Sequence, residues 1–181
     1  MSIALLLAAA LQTQTPGGFT PISVEDCLAE AAAEGVVEAH EEASCFVNWL
    51  YGPGVLDTVT PLGADLDQVF STETASAVRA LRARMGDEGS HPALDADPVC
   101  ACQDPAGLIL VASVVRDAGP TTATAVVRFT YYPIYDQPIE GMSPDDVFEN
   151  TLILVKQGDG WRIHDILVPE NGYSFLASLA E

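Results

Sequence analysis

The chain has 181 residues, 49% of them hydrophobic and 7% aromatic, enough for one hydrophobic core of ordinary composition. Seven Lys and Arg face 26 Asp and Glu, a formal net charge of -19. So acidic a surface repels phosphate backbones and anionic headgroups; this argues against nucleic acid and membrane surfaces as partners and leaves solubility, or docking of a basic partner.

The opening MSIALLLAAALQTQTP reads as a secretory signal, with an apolar run from Ile3 to Leu11 and an A-x-A cleavage site in Ala8-Ala9-Ala10. No Lys or Arg precedes the run, and it is shorter than the roughly 20 residues a membrane span needs. Residues 1–18 are therefore expected to be signal and spacer, and 19–181 a single exported, periplasmic domain with no membrane insertion after cleavage. Ser23-Val24-Glu25-Asp26 predicts a capped helix that Gly35 kinks or ends. A second helix runs to about Tyr51, with Val36, Ala39, Ala43, Phe46, Val47 and Leu50 at helical spacing, and Gly52-Pro53-Gly54 stops it. A third starts near Ser71, with Val78, Leu81 and Met85 on one side and Arg79, Arg82 and Arg84 largely on the other, and closes at Gly86.

Residues 87–107 read as a loop, after which the period becomes two. Leu108 to Arg116 is an apolar strand; in Thr122 to Tyr131, Ala123, Ala125, Val127, Phe129 and Tyr131 share one face. A loop with Pro133, Pro138 and Pro144 precedes two strands, Asn150 to Gln157 and Trp161 to Val168, joined by Gly158-Asp159-Gly160. Ser174 to Leu179 is a short final helix. Helices first and hairpin-connected strands afterwards predict an α+β fold, its N-terminal helices packed on a curved four-stranded antiparallel sheet, the order of nuclear transport factor 2-like folds.

Three short motifs carry a family resemblance. Cys45-Phe46-Val47-Asn48-Trp49-Leu50-Tyr51, the pair Asp97-Pro98 with Gln103-Asp104, and Gly160-Trp161-Arg162-Ile163-His164-Asp165-Ile166 resemble a bacterial exported family, domain of unknown function 3828. The resemblance covers about Val36 to Leu179. It implies a nuclear transport factor 2-like, cystatin-like fold and an envelope location, and it carries no activity.

Cys27, Cys45, Cys100 and Cys102 are the only cysteines, and an even count in an exported chain reads as two disulfides, with one disulfide and two free thiols as the alternative. Joining Cys100 to Cys102 would close a very small strained ring. The expectation is that each bridges to one helical cysteine, in either crossed pairing, bracing the long loop by about 2–4 kcal/mol per bridge. His91, Asp95, Asp97, Cys100, Cys102 and Asp104 gather in that loop, but C-x-C without a second pair does not suit zinc and the carboxylate spacing does not suit calcium. No metal and no cofactor is expected. Asp97 and Asp104 would also raise a neighbouring thiol's pKa, leaving less thiolate at neutral pH and arguing against a reactive free thiol.

A pocket enzyme of isomerase or dehydratase type needs a buried Asp or His beside a Tyr donor. Its weak catalytic candidates here are Asp104, Tyr131 and Asp165, with Tyr132 and His164 behind them. Asp165 shares strand parity with Trp161, Ile163 and Leu167, which suits a capping role better than catalysis; His164 points the other way. Trp49, Tyr51, Gln103, Asp104 and Trp161 are candidates to line a ligand site, though aromatics at such spacing equally fill a core. His40 gains no partner from sequence. With no G-x-S-x-G, phosphate loop or H-E-x-x-H, the leading expectation is a non-catalytic exported binding domain for a basic protein or a small apolar ligand. The pocket enzyme and an immunity protein against a basic toxin are the alternatives, and monomer or homodimer stays open.

Overall fold

A computed structural model describes residues 23–34, 38–86, 89–103, 107–131 and 146–181. The signal-like segment, Gly35, Val36, Asp104, Tyr132 and the proline-rich loop lie outside these residues. The described chain is α+β, with helices against one antiparallel sheet.

Helix α1 spans Val24–Glu34 and α2 spans Ala39–Leu50. Ser23 Oγ accepts the Asp26 N–H at 3.0 Å, satisfying a donor the first turn leaves open. At α2 the box is made by Glu38 and Glu41, the Glu41 carboxylate reaching back to the Glu38 N–H at 2.7 Å. The predicted spacing buries Ala43, Phe46, Val47 and Leu50. A single turn, α3 (Leu66–Val69), leads into α4 (Thr72–Met85). Ser71 caps α4, Val78 and Leu81 face inward, Arg79, Arg82 and Arg84 stay exposed, and Gly86 ends the helix at φ 68°.

The sheet runs β1 (Ile109–Arg116), β2 (Thr122–Thr130), β3 (Phe148–Gln157), β4 (Gly160–Val168) and β5 (Tyr173–Ser174), in that spatial order. It has five strands, not the expected four. The added strand is two residues long and pairs Tyr173 with Val168 and Ser174 with Leu167. Its turn, with Gly172 at φ 68°, leaves too few residues for an alternating pattern to show. Ala123, Ala125, Val127, Phe129 and Tyr131 are all buried, as their alternation predicts.

Two register shifts bend the sheet, between Leu110 and Ala112 on β1 and opposite Ile153 and Leu154 on β3. The second changes the site. Leu154 faces Ile163 but Ile153 faces Asp165, which makes His164 an extra residue on β4. From there inward parity passes to Ile166, fully buried, while Asp165 and Leu167 are half-buried. The expected run of Trp161, Ile163, Asp165 and Leu167 on one face is thus broken by a bulge that apolar periodicity does not signal. The core lies between sheet and helices, where Phe129, Leu152, Leu154, Ile163 and Ile166 meet Val47, Leu50, Val69, Phe70 and Val78. Phe70 packs on Phe175 of α5 (Phe175–Ser178), ring centres 5.4 Å apart, docking the C-terminus.

Candidate functional site

The cysteines pair within their own neighbourhoods: Cys27 with Cys45, Cα atoms 5.7 Å apart, and Cys100 with Cys102, 5.1 Å apart. The expected cross-bridges between loop and helices are not made. Packing of α1 on α2 sets Cys27 beside Cys45, and a left-handed residue, Ala101 at φ 54°, turns the chain tightly enough to close Cys100 on Cys102. That turn is not signalled by sequence, because it requires a non-glycine residue in a conformation costing about 1–2 kcal/mol.

The bridges differ in what they can hold together. Closing 18 residues removes about 3 kcal/mol of unfolded-chain entropy, whereas closing 2 removes roughly half as much. The Cys-Ala-Cys turn is braced instead by hydrogen bonds from the core. Tyr51 Oη donates to the Val99 carbonyl at 2.7 Å, and Asn150 Nδ2 donates to the same oxygen at 3.2 Å and to Pro98 O at 3.5 Å. Tyr131 Oη donates to the Cys100 carbonyl. At the base of the turn, Asp97 and Cys102 pair as an antiparallel bridge, Asp97 N–H to Cys102 O at 2.7 Å.

Each of these groups comes from a different element: Tyr51 ends α2, Tyr131 follows β2, and Asn150 stands on the inner face of β3 with Leu152 and Leu154. A polar residue in that buried register was a readable signal, and it was missed. Phe129 lies between the two tyrosines, its ring centre 5.8 Å from Tyr51 and 5.9 Å from Tyr131.

Asp97 is the titratable centre of the cluster. Its Oδ1 accepts the Val99 N–H at 2.9 Å, yet loss of water around the half-buried carboxyl outweighs that bond and raises its pKa to about 6. Burial, with the Asp97 charge nearby, pushes both phenols well above their usual range, so they act as neutral donors. An Asp beside tyrosines is therefore present, formed by Asp97; the sequence candidate Asp104 lies outside the described residues. Both phenols are already committed to backbone carbonyls.

The other sequence candidates sit elsewhere. Asp165 accepts the N–H groups of Ile166 and Leu176, both at 2.8 Å, and the Ser174 hydroxyl at 2.7 Å, so it anchors α5. Through Ile153 it aligns with Thr124, seven residues along β2 from Tyr131, or roughly 20 Å at strand rise, too far for a shared site. Trp49 is half-buried and tilted against Phe46; Gln103 is exposed. Trp161 is buried in the core, its indole N–H without a partner among the described residues. A cleft between Gly52, Gly54, Leu56, Asp57, Gly107 and Leu108 holds about 20 Å³, room for a water molecule.

One further cluster was not foreseen. His164 Nδ1 lies 3.3 Å from Ser71 Oγ and 3.9 Å from Glu73 Oε2. The same ring nitrogen faces both groups, so the imidazole does not stand between acid and hydroxyl as acyl transfer requires. Ser71 is fully buried as the cap of α4, and the bulge at His164 serves the helix–sheet junction. His40, left without a partner by sequence, lies 3.2 Å from the Val115 carbonyl through Nε2. Comparison with protein-family models, with curated proteins and with solved structures returns no match.

Proposed function

We propose that the chain is an exported binding domain of the nuclear transport factor 2-like kind whose acidic surface receives a basic protein. The observation that carries this reading is the use of its own cations. Among the described residues, Arg79 turns to Asp67, Arg82 to Leu62 O, Arg84 to Leu179 O, Arg128 to Glu149, Lys156 to Glu42 and Arg162 to Asp67 O. Carboxylates such as Glu25, Glu30, Glu41, Asp57, Asp159 and Glu170 are left exposed. A field of that sign speeds encounter with a cationic surface and rejects anionic ones. The signal-like start and the resemblance to domain of unknown function 3828 support an envelope setting.

The test is affinity capture from an envelope extract with the mature chain, followed by titration of the recovered protein at rising salt. The reading expects a basic partner whose affinity falls steeply with ionic strength. Recovery of only acidic proteins, or affinity indifferent to salt, would sink it. Mass analysis of the same preparation checks removal of the N-terminal segment.

A further inference from the structure

We propose that Cys100–Cys102 is a reactive disulfide that exchanges with thiols, its natural substrate being a dithiol on a partner chain. This goes beyond the binding reading and stands without it. The bridge spans a single residue and its turn is held from beneath by Tyr51, Tyr131 and Asn150, so little of the fold depends on it. A short ring that constrains the unfolded chain weakly has small resistance to opening. Closure also holds Ala101 in the left-handed region, a cost for a side-chain-bearing residue that opening of the ring can release.

The two sulfurs are not equivalent. Cys102 is half-buried beside the exposed Ala101 and Gln103, whereas Cys100 has no exposed surface. Attack therefore falls on Cys102. A partner thiolate bonds to Cys102 Sγ as the Cys100–Cys102 bond breaks, and Cys100 leaves as the thiolate. It takes up a proton given up by the dithiol, and its Sγ lies 3.7 Å from the Asp97 carbonyl and 3.8 Å from the Cys102 carbonyl, acceptors in place for the new S–H. The partner's second thiolate then attacks its own sulfur in the mixed disulfide and expels Cys102. The partner loses two electrons and two protons and gains a disulfide; Cys100 and Cys102 gain both and become thiols. The long bridge between α1 and α2 serves as an internal reference, since it constrains far more chain.

The experiment equilibrates the oxidised full chain with graded reduced glutathione, without denaturant, then alkylates and maps each cysteine. Cys100 and Cys102 are expected to open at about tenfold lower glutathione than Cys27 and Cys45. Offered an oxidised dithiol peptide, Cys100→Ser should trap it on Cys102, while Cys102→Ser, keeping only the buried Cys100, should trap little. The Cys100→Ser/Cys102→Ser double variant should fold and no longer oxidise the reduced peptide. Opening of both bridges together, equal trapping by the two single variants, or unchanged peptide oxidation by the double variant would each overturn the proposal. So would failure of the double variant to fold, which would make the bridge a structural staple.

Discussion

Tyr51, at the end of α2, gives its phenolic hydrogen to the carbonyl of Val99, 48 residues further along the chain. That bond and the one from Asn150 to the same oxygen are the points at which the helical layer and the sheet together hold the Cys-Ala-Cys turn. Tyr51→Phe keeps the ring against Phe129 and removes only the donor. It should cost about 1 kcal/mol, read from urea unfolding. Because Asn150 shares the acceptor, a Tyr51→Phe/Asn150→Ala cycle should be non-additive. Strict additivity would mean that the two donors do not compete for one oxygen.

Asp97 makes a pH prediction with a definite sign. Its folded pKa, about 6, lies above the ordinary 3.8, so the folded chain holds this proton more tightly than the unfolded one. Its contribution is most favourable below pH ~4, fades as pH rises towards ~6, and is an unfavourable charge above that. Asp97→Asn keeps an acceptor for Val99 N–H and removes the charge. The variant should gain on the wild type between pH ~4 and ~6, by about 1–2 kcal/mol after allowing for solvent at a half-buried group. Parallel stability curves across that window would show that Asp97 does not titrate there.

The two disulfides should be unequal in stability. Removing Cys27–Cys45 as a double serine variant should cost about 3 kcal/mol, and removing Cys100–Cys102 roughly half that, from the lengths of chain they close. Thermal or urea unfolding of the two variants, side by side, compares them directly. A larger loss from the short bridge would mean that it orders more of the native loop than its hydrogen bonds suggest.

Ala101 should tolerate glycine better than alanine. At φ 54° the methyl group is the source of the conformational penalty, and the residue is exposed, so no packing is lost. Ala101→Gly should stabilise the oxidised protein by about 0.5–1 kcal/mol after the greater chain entropy of glycine is offset. Measured destabilisation would argue that the turn relaxes elsewhere.

Asp165 joins β4 to the start of α5 through two hydrogen bonds, from the Ser174 hydroxyl and the Leu176 N–H. Asp165→Ala leaves the Leu176 N–H and Ser174 hydroxyl without that partner, and should cost about 2–3 kcal/mol. Hydrogen exchange should quicken first in α5. Uniform loss of protection over the sheet instead would show that α5 does not detach separately.

Much of this architecture is written in local pattern. The capping serine before α4, the glycine that ends it, the alternation of β2 and the Gly158-Asp159-Gly160 turn each act within a few residues, where propensity and periodicity operate. The inward face of β2 follows from one rule, that successive side chains on a strand point to opposite sides. The even count of cysteines is likewise a property of the chain alone.

What the chain could not state locally was decided by tertiary structure. An extra residue at His164 moved inward parity from Leu167 to Ile166 because β3 and β4 pair in a shifted register, a relation between strands. Cysteine pairing followed the packing of α1 on α2 and one left-handed residue at Ala101, and neither is encoded in the spacing of the cysteines. Asp97, Tyr51, Tyr131 and Asn150 lie far apart in sequence and become one cluster only when sheet and helices close over the same loop. Sequence set each residue's chemistry and local conformation; long-range packing chose its neighbours, and with them its pKa and its exposure.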